Sequence, residues 1–125
     1  MTYRLSRLMS AATACYGGYA LAEPRHLGRA MTDDGRGQAQ YDVLAQTYGC
    51  RDLTVSAFGM FGRSERTVTT AILIRIAFDV SDGLLLAVRA EDDEVRTKVL
   101  GVTMGWAGLN TLALLIDRRR ARTRA

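Results

Sequence analysis

Four apolar stretches mark the chain, at residues 5–22, 43–61, 68–88 and 99–116, and short charged segments separate them. Each is close to the ~20 residues that a helix needs to cross a bilayer core. Period-two alternation is absent and the runs are long, which argues against strands. The links between the second and third stretches and between the third and fourth are short, so neighbouring helices are expected to run antiparallel. The pattern predicts an all-α, four-helix transmembrane bundle in a single domain spanning 1–125, threaded up-down-up-down. A soluble bundle would accommodate the charges inside the second and third stretches more easily. It leaves the fourth unexplained, because that stretch has no charge and no polar face beyond Thr103, Asn110 and Thr111.

Charge in the links supplies a second, independent test. Four spans place both termini on one side, with Arg4, Arg7, Arg63, Arg66, Arg118, Arg119, Arg120, Arg122 and Arg124 against only Glu65 and Asp117. The opposite side pairs Arg25, Arg29, Arg36, Arg89, Arg96 and Lys98 with Glu23, Asp33, Asp34 and the run Glu91-Asp92-Asp93-Glu94. The bias predicts cytoplasmic termini in a multi-pass protein of the cell membrane. The net charge of +4 then reports topology. The first stretch also resembles a signal peptide, with Arg4 and Arg7 before it and Ala20-Leu21-Ala22 at its end. Cleavage would leave three spans and separate the amino end from the C-terminal arginines, so the stretch is read as a helix.

Composition narrows the chemistry. One His and two Cys exclude a Cys/His zinc site and a disulfide-stapled scaffold. Gly35 and Gly37 lack the flanking strand and Lys of a phosphate loop. The basic residues form no patch interleaved with aromatics, so no nucleic-acid partner is expected. No metal and no cofactor is expected either. Cys15 and Cys50 read as inert small hydrophobes, and His26 reads as a solvated link residue.

Five ionisable residues fall inside the apolar stretches: Arg51 and Asp52 in the second, Arg75, Asp79 and Asp82 in the third. A charge at a helix centre costs at least ~2.5–3.5 kcal/mol and persists where it meets a partner or a wet cavity. Arg75, Asp79 and Asp82 follow i, i+4, i+7 spacing and share one helix face. Arg51 and Asp52 are adjacent, so they diverge by ~100° and are not expected both to aim at that face. Such a cluster has two readings. It is structural glue, since Arg pairs with carboxylate in a fork and stays charged. Or it is catalytic, with one Asp as acid, another as base, and Arg stabilising developing negative charge. Tyr48, Asn110 and Trp106 are the candidate substrate-binding residues. Gly101 and Gly105 form a small-xxx-small pair that predicts a close helix contact, within the chain or in a homodimer.

The segments Ala22-Glu23-Pro24-Arg25 with Gly28, Gly49-Cys50-Arg51-Asp52-Leu53, and Asp79 with Asp82 resemble a family of small integral membrane proteins classed as a domain of unknown function (the DUF4267 type). The resemblance covers most of the chain and implies a four-helix membrane topology. The small multidrug transporters share the size and span number, but they depend on a Glu in the first helix that is absent here. Three functions remain in view. The first is a membrane enzyme doing metal-free acid–base chemistry on a lipophilic small molecule: isomerisation, cyclisation or epoxide opening. The second is an accessory subunit whose charges lock helices together. The third is a proton-coupled transporter.

Overall fold

A computed structural model describes residues 2–125, and every regular element among them is a helix. Four long helices occupy the four apolar stretches: α1 (Arg4–Ala22), α4 (Asp42–Phe61), α5 (Glu65–Arg89) and α6 (Asp93–Arg124). Two short helices, α2 (Arg25–Met31) and α3 (Gly35–Gln40), fold the segment that reads from sequence as a charged link.

Local chemistry sets the ends. Ser64 begins α5 by accepting the Thr67 N–H at 3.1 Å, and Asp92 begins α6 by accepting that of Val95 at 2.8 Å. These caps satisfy N–H groups that a helix start leaves without partners. They also explain why α5 and α6 start earlier than their apolar runs. Asp117 acts across the bundle. Its carboxylate accepts the Ser6 N–H at 2.7 Å and the Leu5 N–H at 3.4 Å, so α6 caps the start of α1. Arg7 on α1 returns the service, donating to the carbonyls of Met60 at 2.7 Å and Gly62 at 2.9 Å, where α4 ends.

The long helices close a ring in which α1 packs on α4, α4 on α5, α5 on α6 and α6 on α1. Antiparallel neighbours follow from the contacts: Gly17 meets Gly49 while Ser10 meets Gly59, and Gly83 meets Thr103. The α1–α4 approach is close. A Cβ on Gly49 would lie 2.8 Å from the Gly17 carbonyl, and one on Gly17 3.0 Å from that of Gly49. Only glycine permits backbones this near, which is how helices associate where lipid removes the hydrophobic drive. Gly101 and Gly105 do not make the corresponding contact within the chain, because both are exposed with open space where a Cβ would stand.

The interior is stratified. Leu27, Met31, Ala45, Tyr48, Leu86, Ala90 and Val99 form an apolar cluster at one end, and Tyr3, Val68, Ile72 and Leu114 form another at the end holding the chain termini. Polar side chains occupy the interior as well: Thr13, Asp52, Ser56, Arg75, Asp79, Asp82 and Asn110 are all buried. Large apolar side chains face outward in number, among them Leu8, Phe58, Leu73, Leu84, Val88, Leu109 and Leu112. Among the described residues one helix, α6, is long and apolar enough to cross a membrane by length and composition, and 28% of its apolar window is buried inside the fold.

Candidate functional site

α5 builds the site's spine. Arg75, Asp79 and Asp82 are 8%, 3% and 8% exposed, on one face of one helix. The Arg75 guanidinium bridges two helices, donating to Asp79 at 2.5 Å on its own helix and to Asp52 on α4. Asp52 is 1% exposed. Arg51 departs from the expected divergence. Its long side chain folds back toward α5 and donates to both oxygens of Asp82, at 3.1 and 2.5 Å, with a longer 3.4 Å contact to Asp52. Backbone direction alone therefore misplaces it, since an extended guanidinium reaches around a helix where a short carboxylate does not. Two aromatic faces fix the plane, with the guanidinium carbon 4.6 Å from the Tyr48 ring and 4.3 Å from the Phe78 ring. Such stacking suits the planar, weakly hydrated guanidinium.

Two arginines and three aspartates leave this cluster one negative charge in excess when all are ionised. Its hydrogen bonding is incomplete: Asp52 Oδ2, Asp79 Oδ2, Arg75 Nε and Ser56 Oγ are buried without partners among the described residues. Orphaned buried polar atoms are costly and mark places where a proton, a water or a ligand atom belongs.

A cavity of about 100 Å³ adjoins the cluster. Asp52, Asp82, Arg51 and Arg75 form its charged wall, Tyr16, Tyr48 and Trp106 its aromatic wall, and Thr13, Leu27, Leu86 and Val102 complete it. Of the residues anticipated from sequence, Asp79 and Asn110 stand outside the lining. Asp79 is held behind Arg75. Asn110 is fully buried and donates to the Trp106 carbonyl of its own helix at 2.9 Å, leaving its Oδ1 without a partner. Among the described residues it makes no bond across the bundle.

Sequence reasoning missed Tyr16. The signal was present: Ser6, Ser10, Thr13, Gly17 and Ala20 give α1 one small, buried face, and Tyr16 borders it. His26 was misjudged as well. It is half-buried, its Nε2 lies 2.9 Å from the Tyr16 hydroxyl, and its Nδ1 lies 2.7 Å from the Glu23 carbonyl. At the same end, outside the apolar stretches, Arg25 forks onto Asp42 at 2.9 and 3.0 Å, tying α2 to α4. The Arg25 hydrogen bond holds the Asp42 carboxyl below its ordinary range, and the carboxylate raises the guanidinium in return.

Compared with known families, curated proteins and solved structures, the chain matches none. The functional reading therefore rests on the geometry. No cluster of metal-ligating side chains occurs among the described residues.

Proposed function

We propose that this chain is a four-span integral membrane protein whose Asp/Arg cavity performs acid–base chemistry on a small lipophilic molecule. The observation that carries it is the cavity itself: two carboxylates, two guanidiniums and two phenols converge on one sheltered space. The membrane part of the reading is supported by the distribution of side chains, with ion pairs inside and large apolar groups outside. Ion pairs buried at mid-bundle under an apolar outer surface are the arrangement expected where lipid is the solvent. Helix lengths agree, since 19 residues in α1 and 20 in α4 rise ~28–30 Å, about one hydrocarbon thickness.

At about 100 Å³ the cavity takes a reacting group rather than a whole drug-sized molecule. The remainder of such a substrate would rest on the outward apolar surface. The carboxyl that holds the cluster's spare proton is the acid, the other cavity carboxylate is the base, and the guanidiniums stabilise charge that develops on substrate oxygen. Isomerisation, cyclisation and epoxide opening fit these parts. Asp52 and Asp82 touch the substrate; Asp79 positions Arg75.

A second reading has its own observation. Each guanidinium is already engaged by carboxylate, as expected of an accessory subunit whose charges only lock α4 to α5. Asp52→Asn, Asp79→Asn and Asp82→Asn, reconstituted in nanodiscs and supplied with lipophilic epoxides and isomerisable polyenes, separate the two. Folded variants that lose turnover support the enzyme; variants that fail to fold or insert support the structural role.

A further inference from the structure

Two clefts meet on α5 at the end of the bundle that holds the chain termini. The first, of about 320 Å³, lies between α5 and α6 and is lined by Arg66, Thr69, Thr70 and Arg118, with Tyr3 and Glu65 closing it. The second, also about 320 Å³, is a groove between α4 and α5 walled by Val55, Phe58, Ala71 and Ile74. Arg66 and Thr70 line both. We propose that the two together bind one anionic phospholipid, with its phosphate between Arg66 and Arg118 and an acyl chain in the groove. The inference goes beyond the acid–base reading and shares with it only the placement in a membrane.

Helix spacing builds the gradient. Arg66, Thr70 and Ile74 follow i, i+4, i+8 and share one stripe of α5. The stripe is charged at the helix start, hydroxylic one turn in and apolar one turn further. From Arg66 to Ile74 the helix rises ~12 Å, most of one leaflet's share of a hydrocarbon core ~30 Å thick. Phe58 and Ile74 are exposed along the groove, and the small, buried Ala71 forms its floor.

Charge selects the headgroup. Arg66 and Arg118 are exposed, and neither has a carboxylate partner among the described residues. Glu65 is the one acid of the cleft, and it stands in the first turn of α5, where a helix start favours negative charge. Two guanidiniums against one carboxylate leave a single positive charge, which one phosphodiester neutralises. Guanidinium suits phosphate oxygens in a fork, and the Thr69 and Thr70 hydroxyls are further donors. A zwitterionic headgroup adds a cation to a cleft that is already positive. A free phosphate would occupy the cleft and leave the groove unused, whereas an amphipathic ligand uses both. Cytoplasmic termini, the side that the arginine bias favours, put the site in the leaflet that carries anionic lipid.

The full-length chain in detergent, titrated with phosphatidylglycerol or phosphatidylcholine and read by native mass spectrometry, tests the site. Wild type should retain phosphatidylglycerol at least roughly tenfold more tightly than phosphatidylcholine, and an excess of inorganic phosphate should not displace it. Arg66→Gln/Arg118→Gln should weaken retention about tenfold, and Phe58→Ala/Ile74→Ala about fivefold. Arg63→Gln/Arg122→Gln removes the same charge outside both clefts and should stay within about twofold of wild type. Every position changed is exposed, so the bundle interior is untouched. Equal retention of the two lipids by wild type, or equal losses in the two arginine pairs, overturns the site. Displacement by inorganic phosphate, or a groove variant that binds like wild type, overturns the lipid in favour of a free anion. None of these readouts involves turnover, so the lipid site and the acid–base reading fail separately. The membrane placement they share is read on its own, by whether the chain needs detergent to stay dispersed.

Discussion

Arg51 grips Asp82 with both terminal nitrogens while lying between the rings of Tyr48 and Phe78. The clamp joins α4 to α5 at the edge of the cavity and sets where the Asp82 carboxylate points. Arg51→Lys keeps the charge but loses the fork and the stacking, so it should lower stability by ~1–2 kcal/mol. Thermal unfolding in detergent checks this. A Lys variant as stable as wild type would show that the aromatic faces contribute nothing.

Asp52 is the more deeply enclosed carboxylate, and removing it leaves Arg75 with Asp79 as its one carboxylate partner among the described residues. Asp52→Ala should cost ~3 kcal/mol, the low end of the range for breaking a buried pair by deleting one partner, because Asp79 still holds the guanidinium. The triple variant Asp52→Leu/Arg75→Leu/Asp79→Leu should recover a large part of that loss, because it removes Arg75 together with both carboxylates that it holds. A triple variant as unstable as the single would contradict the pairing.

Gly49→Val should prevent close packing of α1 on α4, since the obstacle at 2.8 Å is backbone and cannot swing aside. Gly101→Ala and Gly105→Ala should leave monomer stability within about ±0.5 kcal/mol, as both positions look onto open space. If copies of the chain pair through that face, the same two alanines weaken the dimer in a detergent cross-linking assay and leave the unfolding midpoint alone.

Arg25 and Asp42 give a pH signature away from the cavity. The folded carboxyl lies below its ordinary value, so the pair's contribution is complete above the unfolded pKa of ~3.9 and is lost as pH falls through the folded one. Both groups are partly exposed and the effect is small. The unfolding midpoint of wild type should exceed that of Asp42→Asn near neutral pH, and the two curves should converge as the folded carboxyl is protonated below its ordinary range. A constant offset at all pH values would mean that the ion pair is not its source.

The all-helical class was legible because long apolar runs without alternation leave no other regular structure. The shared face of Arg75, Asp79 and Asp82 was legible too, because helix spacing dictates it. Three features were not. Arg51 reaches Asp82 through side-chain length, which angular arithmetic on the backbone ignores. The tight helix contact falls at Gly17 and Gly49, whereas the Gly101 and Gly105 spacing points outward; a glycine motif carries no information on which helix it meets. The segment 23–41 has no periodicity to betray α2 and α3, so the placement of His26 beside Tyr16 could come only from coordinates.

The central claim is that the charged cluster is enclosed by helices whose outer faces lie in lipid. Cys50 adjoins Arg51 and Asp52 in the middle of α4, yet it is exposed on the outside of the bundle. A nitroxide placed there in a Cys15→Ser background, in lipid nanodiscs, reads its surroundings by collision with dissolved oxygen and with a water-soluble nickel chelate. The account predicts strong relaxation by oxygen and almost none by nickel, at a depth near the bilayer centre. Ready access by nickel would place that face of α4 in water and contradict it.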